Sequence, residues 1–110
     1  MPKITKHAVL DLAKNAVADR GLNYGSPEDN FLHIARLWKA HLVNVGLLDP
    51  AVLGDDDKGI TPADVAIMCG QIKDARLANQ PAHLDSWVDK AGYAACGANI
   101  VCDDLVEGDQ

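Results

Sequence analysis

The sequence predicts an all-α protein that folds as a compact four-helix bundle-like domain. Apolar residues recur at helical spacing in four segments, whereas no alternating pattern is long enough to indicate a β-strand. Hydrophobic residues make up 48% of the 110 residues, and most are Ala, Leu, Val and Ile, a mixture that favours helices. This length suits a single domain, expected over residues 1–110.

Helix 1 is predicted over Lys6–Arg20. Thr5 is a suitable N-cap, and Gly21 is typical of a helix end. The predicted core stripe of this helix consists of Val9, Leu12, Ala13, Ala16 and Val17.

Helix 2 has a strong start signal. Ser26 can cap it, and Pro27 suits the first helical position. The apolar spacing continues to about Val45, before Gly46. Its predicted inward face comprises Phe31, Ile34, Trp38 and Leu42.

An acidic linker near residues 47–60 separates the two halves, and its Pro, Gly and Asp residues predict an exposed or mobile segment. Thr61 and Pro62 repeat the capping signal and start helix 3, which runs to about Asn79. Helix 4 begins near Leu84. An acidic C-terminal tail is predicted from about residue 103.

The charge pattern argues against some partners and compartments. The net charge is −6, and no basic stripe is present, so we expect no nucleic-acid binding. The N-terminus does not resemble a signal peptide, and no segment approaches a membrane span. The three cysteines form no zinc-binding pattern and are expected to be reduced. A cytoplasmic location is therefore expected, without a membrane partner.

Two aspartates of helix 4 pose the main chemical question. Asp85 and Asp89 are four residues apart and share a helix face, and the rest of the helix is apolar nearly all round. Such a helix is usually buried, and a buried aspartate needs a cation, a donor network or a metal. One four-helix monomer could hardly cover so apolar a helix, so we also predict a homo-oligomer formed through helix 4.

Two cations of helix 3 are candidate partners. Lys73 and Arg76 lie at the edge of the apolar face of helix 3. One interpretation is an internal ion-pair network with Asp85 and Asp89, which fixes helix register without a ligand. The other is a nucleotide site in which the cations bind phosphate and the carboxylates hold Mg²⁺.

Two residues outside these helices are weaker candidates. Tyr24 could stack on a ligand beside Gly25, although a tight loop explains the pair better on chemistry alone. Asn30 lies at the edge of the apolar face of helix 2, where it could bond to a loop or to a ligand.

The ordered motifs of this chain resemble a family of small phage and prophage proteins of unassigned function. These motifs are YGSPEDNF, LW, ITPADVAIM, IKDARLA and DSWVDKAGYAACG, which span residues 22–98. A wider similarity, in the order YG, a basic pair and D-x-x-x-D-x-x-x-Y, connects them to phage nucleotide-modification-associated domains. The chain also distantly resembles the all-α MazG-like nucleoside triphosphate pyrophosphohydrolases.

The MazG-like resemblance implies specific roles. Asp85 and Asp89 would replace the later acidic cluster that binds Mg²⁺, with Lys73 and Arg76 as phosphate ligands. Tyr93, the last residue of the shared order, joins the ligand-binding set. The earlier E-x-x-E motif of those enzymes is missing, which leaves Glu28 as a possible further metal ligand. The resemblance also implies dimers or tetramers.

Three functions are compatible with this pattern. The first is a Mg²⁺-dependent pyrophosphohydrolase in which Asp85, Asp89 and Lys73 act in catalysis. The second is a non-catalytic sponge that sequesters a nucleotide or cyclic-nucleotide immune signal as an anti-defence protein. The third is a structural or interaction protein with an internal ion-pair network.

Overall fold

The computed structural model describes residues 2–102, apart from the side chain of Tyr24, and this part of the chain is helical as predicted. It contains four α-helices and one short 3₁₀ helix, and no strand among the described residues. The elements are α1 (Lys6–Tyr24), α2 (Pro27–Asn44), the 3₁₀ helix (Pro50–Val52), α3 (Pro62–Asn79) and α4 (Leu84–Val101). The predicted acidic tail from residue 103 lies outside the described residues.

The predicted N-caps are confirmed. The Thr5 and Ser26 hydroxyls accept hydrogen bonds from Ala8 N at 3.0 Å and Asp29 N at 3.2 Å. At Thr61 the capping is reciprocal: the Thr61 hydroxyl accepts from Asp64 N, and Thr61 N donates to the Asp64 carboxylate at 2.9 Å. This reciprocal capping box fixes the start of α3.

The predicted end of helix 1 is wrong. The helix continues through Gly21 to Tyr24 and stops at Gly25, whose φ is +81°. A glycine inside a helix costs only about 1 kcal/mol relative to alanine, so packing can carry the helix through it. The left-handed φ at Gly25 is what ends the helix.

The helices enclose one small core. Helix α4 packs against α3 on one side and α1 on another, and α3 also packs against α2. Helices α3 and α4 approach closely where an added Cβ at Gly97 would lie 3.0 Å from the Cβ of Ala66. The buried cluster at the centre consists of Phe31, Ala35, Ile60, Val65, Ala66 and Cys96.

The segment between α2 and α3 folds around a buried lysine. Lys39 is only 2% exposed, and its Nζ donates to the carbonyl oxygens of Val52 at 3.2 Å and Asp55 at 2.9 Å. Arg36, one turn earlier, pairs with Asp56 through two hydrogen bonds of 3.0 and 2.8 Å. The backbone of the acidic segment is thus anchored to α2, and its mobility in solution stays a prediction.

Trp87 is not part of the core. Its side chain is 46% exposed, and its indole N–H donates to the carbonyl of Pro81 at 2.8 Å. Trp38, by contrast, packs against the core. The described residues therefore leave about half of the Trp87 side chain uncovered.

Within residues 2–102, none of the helices combines the length and the apolar character that crossing a membrane requires.

Candidate functional site

A cleft lies between α1, α2 and α4, and Cys69 of α3 also lines it. Its volume is about 580 Å³, within the range of small-molecule sites. Most of its wall is apolar, formed by residues such as Val17, Ile34 and Val88. The polar side chains that line it are Arg20, Asn30, Asp89 and Tyr93.

Asp89 is the centre of the charged groups at this cleft. Its Oδ2 lies 3.0 Å from Lys73 Nζ, and its Oδ1 lies 3.8 Å from Arg20 Nη2. The Asp89 and Lys73 side chains are 22% and 24% exposed. One carboxylate is thus shared by two cations at a partly desolvated position, where charges are screened less than on an open surface.

Arg20 also binds the aromatic part of the cleft wall. Its Nη1 donates to the hydroxyl of Tyr93 at 3.1 Å, and its Cζ lies 5.6 Å from the centroid of the Tyr93 ring, within range of a cation–π interaction. The Tyr93 ring is tilted by 38° against Phe31, with 6.2 Å between the centroids. An arginine and an aromatic pair therefore stand together beside the apolar wall.

Two free thiols line the same cleft. The pKa of Cys69 is raised above its ordinary value, because the effect of burial exceeds the lowering by the charges of Arg20 and Lys73. The pKa of Cys96 is raised as well, because burial and the charge of Glu28 together exceed the lowering by Arg20. Both thiols are therefore predominantly protonated at neutral pH, which makes them poor nucleophiles.

Comparison with known proteins gives the family of the chain. Residues 8–101 match the model of a domain of unknown function, DUF6378. The chain belongs to this family. It is 33% identical over 103 residues to the Gene 55 protein of Mycobacterium phage D29, which covers 93% of this chain and 58% of that protein.

The phage origin of the relatives agrees with the phage family that the motifs resemble. The Gene 55 protein of Mycobacterium phage L5 is 33% identical over 88 residues, covering 79% of this chain and 48% of that protein. This DUF6378 chain thus spans about half the length of the curated relatives it matches. No solved structure matches it.

The structure brings together four of the predicted site residues of this DUF6378 chain. Asp89, Asn30 and Tyr93 line the cleft, and Lys73 is bonded to Asp89. Glu28 is exposed at the start of α2, close enough for its charge to act on Cys96.

Other predicted residues lie apart from this group. Asp85 and Arg76 are exposed and do not line the cleft, and neither side chain forms a hydrogen bond or ion pair with the described residues. The side chain of Tyr24 lies outside the described part of the structure. No group of three His, Cys, Asp or Glu side chains within residues 2–102 is arranged to hold a metal ion.

The burial expected for the two aspartates is therefore wrong for Asp85 and only partly right for Asp89. Of the four residues expected in the ion-pair network, only Lys73 and Asp89 pair with each other. Arg20, which was not expected, is the second cation on Asp89. Helix spacing placed both carboxylates on one face correctly. How deeply each one lies depends on the path of α1, which the spacing within α4 does not contain.

Sequence analysis missed Arg20. A signal was available, because Ala13, Ala16, Val17 and Arg20 follow the i, i+3, i+4, i+7 spacing of one helix face. The predicted end at Gly21 made Arg20 the last residue of the helix, where a side chain is not expected to face the core. The true end at Tyr24 places Arg20 a full turn inside α1.

Proposed function

We propose that this chain binds a small phosphorylated ligand of the nucleotide class in the cleft between α1, α2 and α4. The observation that carries the proposal is the pair of cations, Arg20 and Lys73, held on one carboxylate beside an apolar cleft. A nucleotide has the matching halves, since its base is flat and largely apolar on its faces and its phosphate is anionic.

The charge of the group favours an anion. Arg20 and Lys73 are both cations, and both lie on the Asp89 carboxylate beside the cleft, although the whole chain is at −6. Arginine presents several donors in a planar fork that fits phosphate oxygens. A phosphate oxygen could accept from Arg20 and Lys73 while Asp89 continues to orient both.

The apolar part of the cleft would hold the base and sugar. Tyr93 and Phe31 provide ring faces and edges, on which a base can stack or pack. Asn30 provides both a donor and an acceptor for a base or ribose edge. These groups would discriminate between ligands, whereas the cations would supply the attraction for phosphate.

The arrangement favours binding over hydrolysis. A MazG-like pyrophosphohydrolase uses several carboxylates around Mg²⁺, and the described residues contain no group of three potential ligands. Mg²⁺ is often held by one or two carboxylates together with substrate phosphates, so Asp89 could hold it once a triphosphate is bound. Hydrolysis is therefore the second candidate, and sequestration without cleavage the first.

Isothermal titration calorimetry with nucleoside mono- and triphosphates and cyclic nucleotides tests the proposal. At least one should bind with micromolar affinity or better. Lys73→Met should weaken that binding about tenfold or more, because the loss of a charge-assisted hydrogen bond to phosphate costs more than about 1.4 kcal/mol. The matched control is Arg36→Gln, which removes a cation that pairs with Asp56 away from the cleft.

Thiol labelling gives an independent check on the location of the ligand. Cys69 lines the cleft and Cys102 is exposed at the end of α4. Bound ligand should slow the alkylation of Cys69, detected by mass spectrometry, and leave that of Cys102 unchanged. If no nucleotide binds, or if Lys73→Met and Arg36→Gln weaken binding equally, the proposal fails.

Chromatography of the ligand after incubation with and without EDTA separates the two candidates. An unchanged ligand whose binding survives EDTA supports sequestration. Release of pyrophosphate that requires Mg²⁺ and is lost in Asp89→Asn supports the hydrolase instead.

A further inference from the structure

Within the proposed function, on which this inference rests, we propose that the cleft binds a ligand with a single phosphate group, namely a nucleoside monophosphate or a cyclic mononucleotide. The chain places few cations at the cleft, and acidic side chains stand beside them. Both features disfavour the additional phosphates of a di- or triphosphate.

Most cations of this chain are remote from the cleft. The sequence has 10 lysine and arginine residues, and every one of them lies within residues 2–102. Arg20 lines the cleft, and Lys73 is bound to Asp89 of its wall. The others neither line the cleft nor pair with an acid that lines it; they are Lys3, Lys6, Lys14, Arg36, Lys39, Lys58, Arg76 and Lys90. A phosphate in the cleft can therefore receive charge-assisted hydrogen bonds from only two side chains of the described residues.

The two cations converge on a space the size of one phosphate group. Lys73 Nζ lies 3.0 Å from one oxygen of the Asp89 carboxylate, and Arg20 Nη2 lies 3.8 Å from the other. A carboxylate and a phosphate present similar pairs of oxygens to a guanidinium fork, so donors gathered around one carboxylate can also reach one phosphate. The rest of the described wall is mostly apolar and gives a second phosphate no charged donor.

Acidic side chains oppose any further phosphate. A phosphate monoester already carries a charge of about −1.5 to −2 at neutral pH, and each added phosphate brings more negative charge. The Asp89 side chain is only 22% exposed, so its charge is screened less than one on an open surface. Glu28 adds a negative charge that acts on Cys96 of the cleft wall. With the whole chain at −6, the outer phosphates of a triphosphate meet a repulsion that no further cation of the cleft compensates.

Isothermal titration calorimetry tests this inference with the mono-, di- and triphosphates of adenosine, guanosine, cytidine and thymidine, and with cyclic AMP and cyclic GMP. For the base that binds most tightly, a form with one phosphate should bind at least about tenfold more tightly than the triphosphate in EDTA. The preference should persist in Mg²⁺, because residues 2–102 contain no group of three potential metal ligands. Comparison of the linear and cyclic monophosphates identifies which of the two the cleft prefers.

Adding a cation to the cleft wall should remove the discrimination. Ala16 lines the cleft one turn before Arg20, on the same face of α1. Ala16→Lys should therefore strengthen triphosphate binding relative to monophosphate binding by about tenfold. Ala18→Lys is the matched control, because Ala18 is exposed on α1 and does not line the cleft. It changes the net charge by the same amount and should leave the ratio of the two affinities unchanged.

The single-phosphate preference and nucleotide binding itself fail in different ways. If none of these nucleotides binds, both are wrong. If a triphosphate binds as tightly as the monophosphate, in EDTA or in Mg²⁺, the single-phosphate preference is wrong and nucleotide binding stands. The same holds if Ala16→Lys and Ala18→Lys shift the ratio of affinities equally. The wild-type comparison decides the question even if Ala16→Lys does not fold.

Discussion

Replacing Lys39 by methionine tests how much the buried ammonium group stabilises the segment between α2 and α3. Lys39 Nζ is buried and donates to two carbonyl oxygens, of Val52 and Asp55. Methionine keeps most of the apolar stem, which packs beside Gly59, and removes the ammonium group. The substitution therefore isolates the contribution of the charged hydrogen bonds.

The expected loss can be estimated from these contacts. Hydrogen bonds to a charged group contribute about 1.5–3 kcal/mol each, so the loss of both removes roughly 3–6 kcal/mol. The mutant no longer desolvates an ammonium group, which recovers a few kcal/mol. We expect a net destabilisation of about 2 kcal/mol, which corresponds to a decrease in Tm of roughly 8–16 °C in a domain of this size.

Thermal and urea denaturation followed by circular dichroism measure this loss. Lys58→Met is the matched control in the same segment, because Lys58 is 69% exposed and lies 3.9 Å from Asp55, and exposed pairs contribute about 0–1 kcal/mol. Hydrogen exchange should show faster exchange at the amides of Val52 and Leu53 in Lys39→Met. If Lys39→Met is as stable as the wild type, the desolvation cost equals the hydrogen-bond gain and the anchoring argument is wrong.

Two further substitutions test the same segment. Gly59→Ala should destabilise the fold by about 2 kcal/mol or more, because φ at Gly59 is +73° and an added Cβ would lie 3.0 Å from one side-chain carbon and 3.1 Å from another. Gly54→Ala is the control, since Gly54 has a φ of +82° but open space around it, so this substitution should cost only the backbone strain. Equal Tm values for the two variants would contradict this expectation. The hydrogen bond from Arg36 holds the pKa of Asp56 below its ordinary value of 3.8, so this pair stabilises the fold above that pH and the contribution is lost as the pH falls through the lower, folded-state pKa. Asp56→Asn should therefore flatten the acid limb of a plot of Tm against pH, and an unchanged limb would refute the assignment.

The helix starts were predictable because their signals are local. Ser26 with Pro27 and Thr61 with Pro62 each specify a cap and a first turn within a few residues, and no distant contact alters them. The end of α1 was not predictable in the same way, because two glycines, Gly21 and Gly25, both suit a helix end. Tertiary packing of α1 against α4 decided between them.

The candidate site shows the same division between local and tertiary information. The spacing of Asp85 and Asp89 placed both on one face, but only Asp89 is reached by cations from two other helices. Lys39 was missed although it shares a face with Phe31 and Ala35 at intervals of four residues. A lysine on an apolar face is normally taken as an edge residue, and its carbonyl partners come from a loop whose path the sequence does not specify.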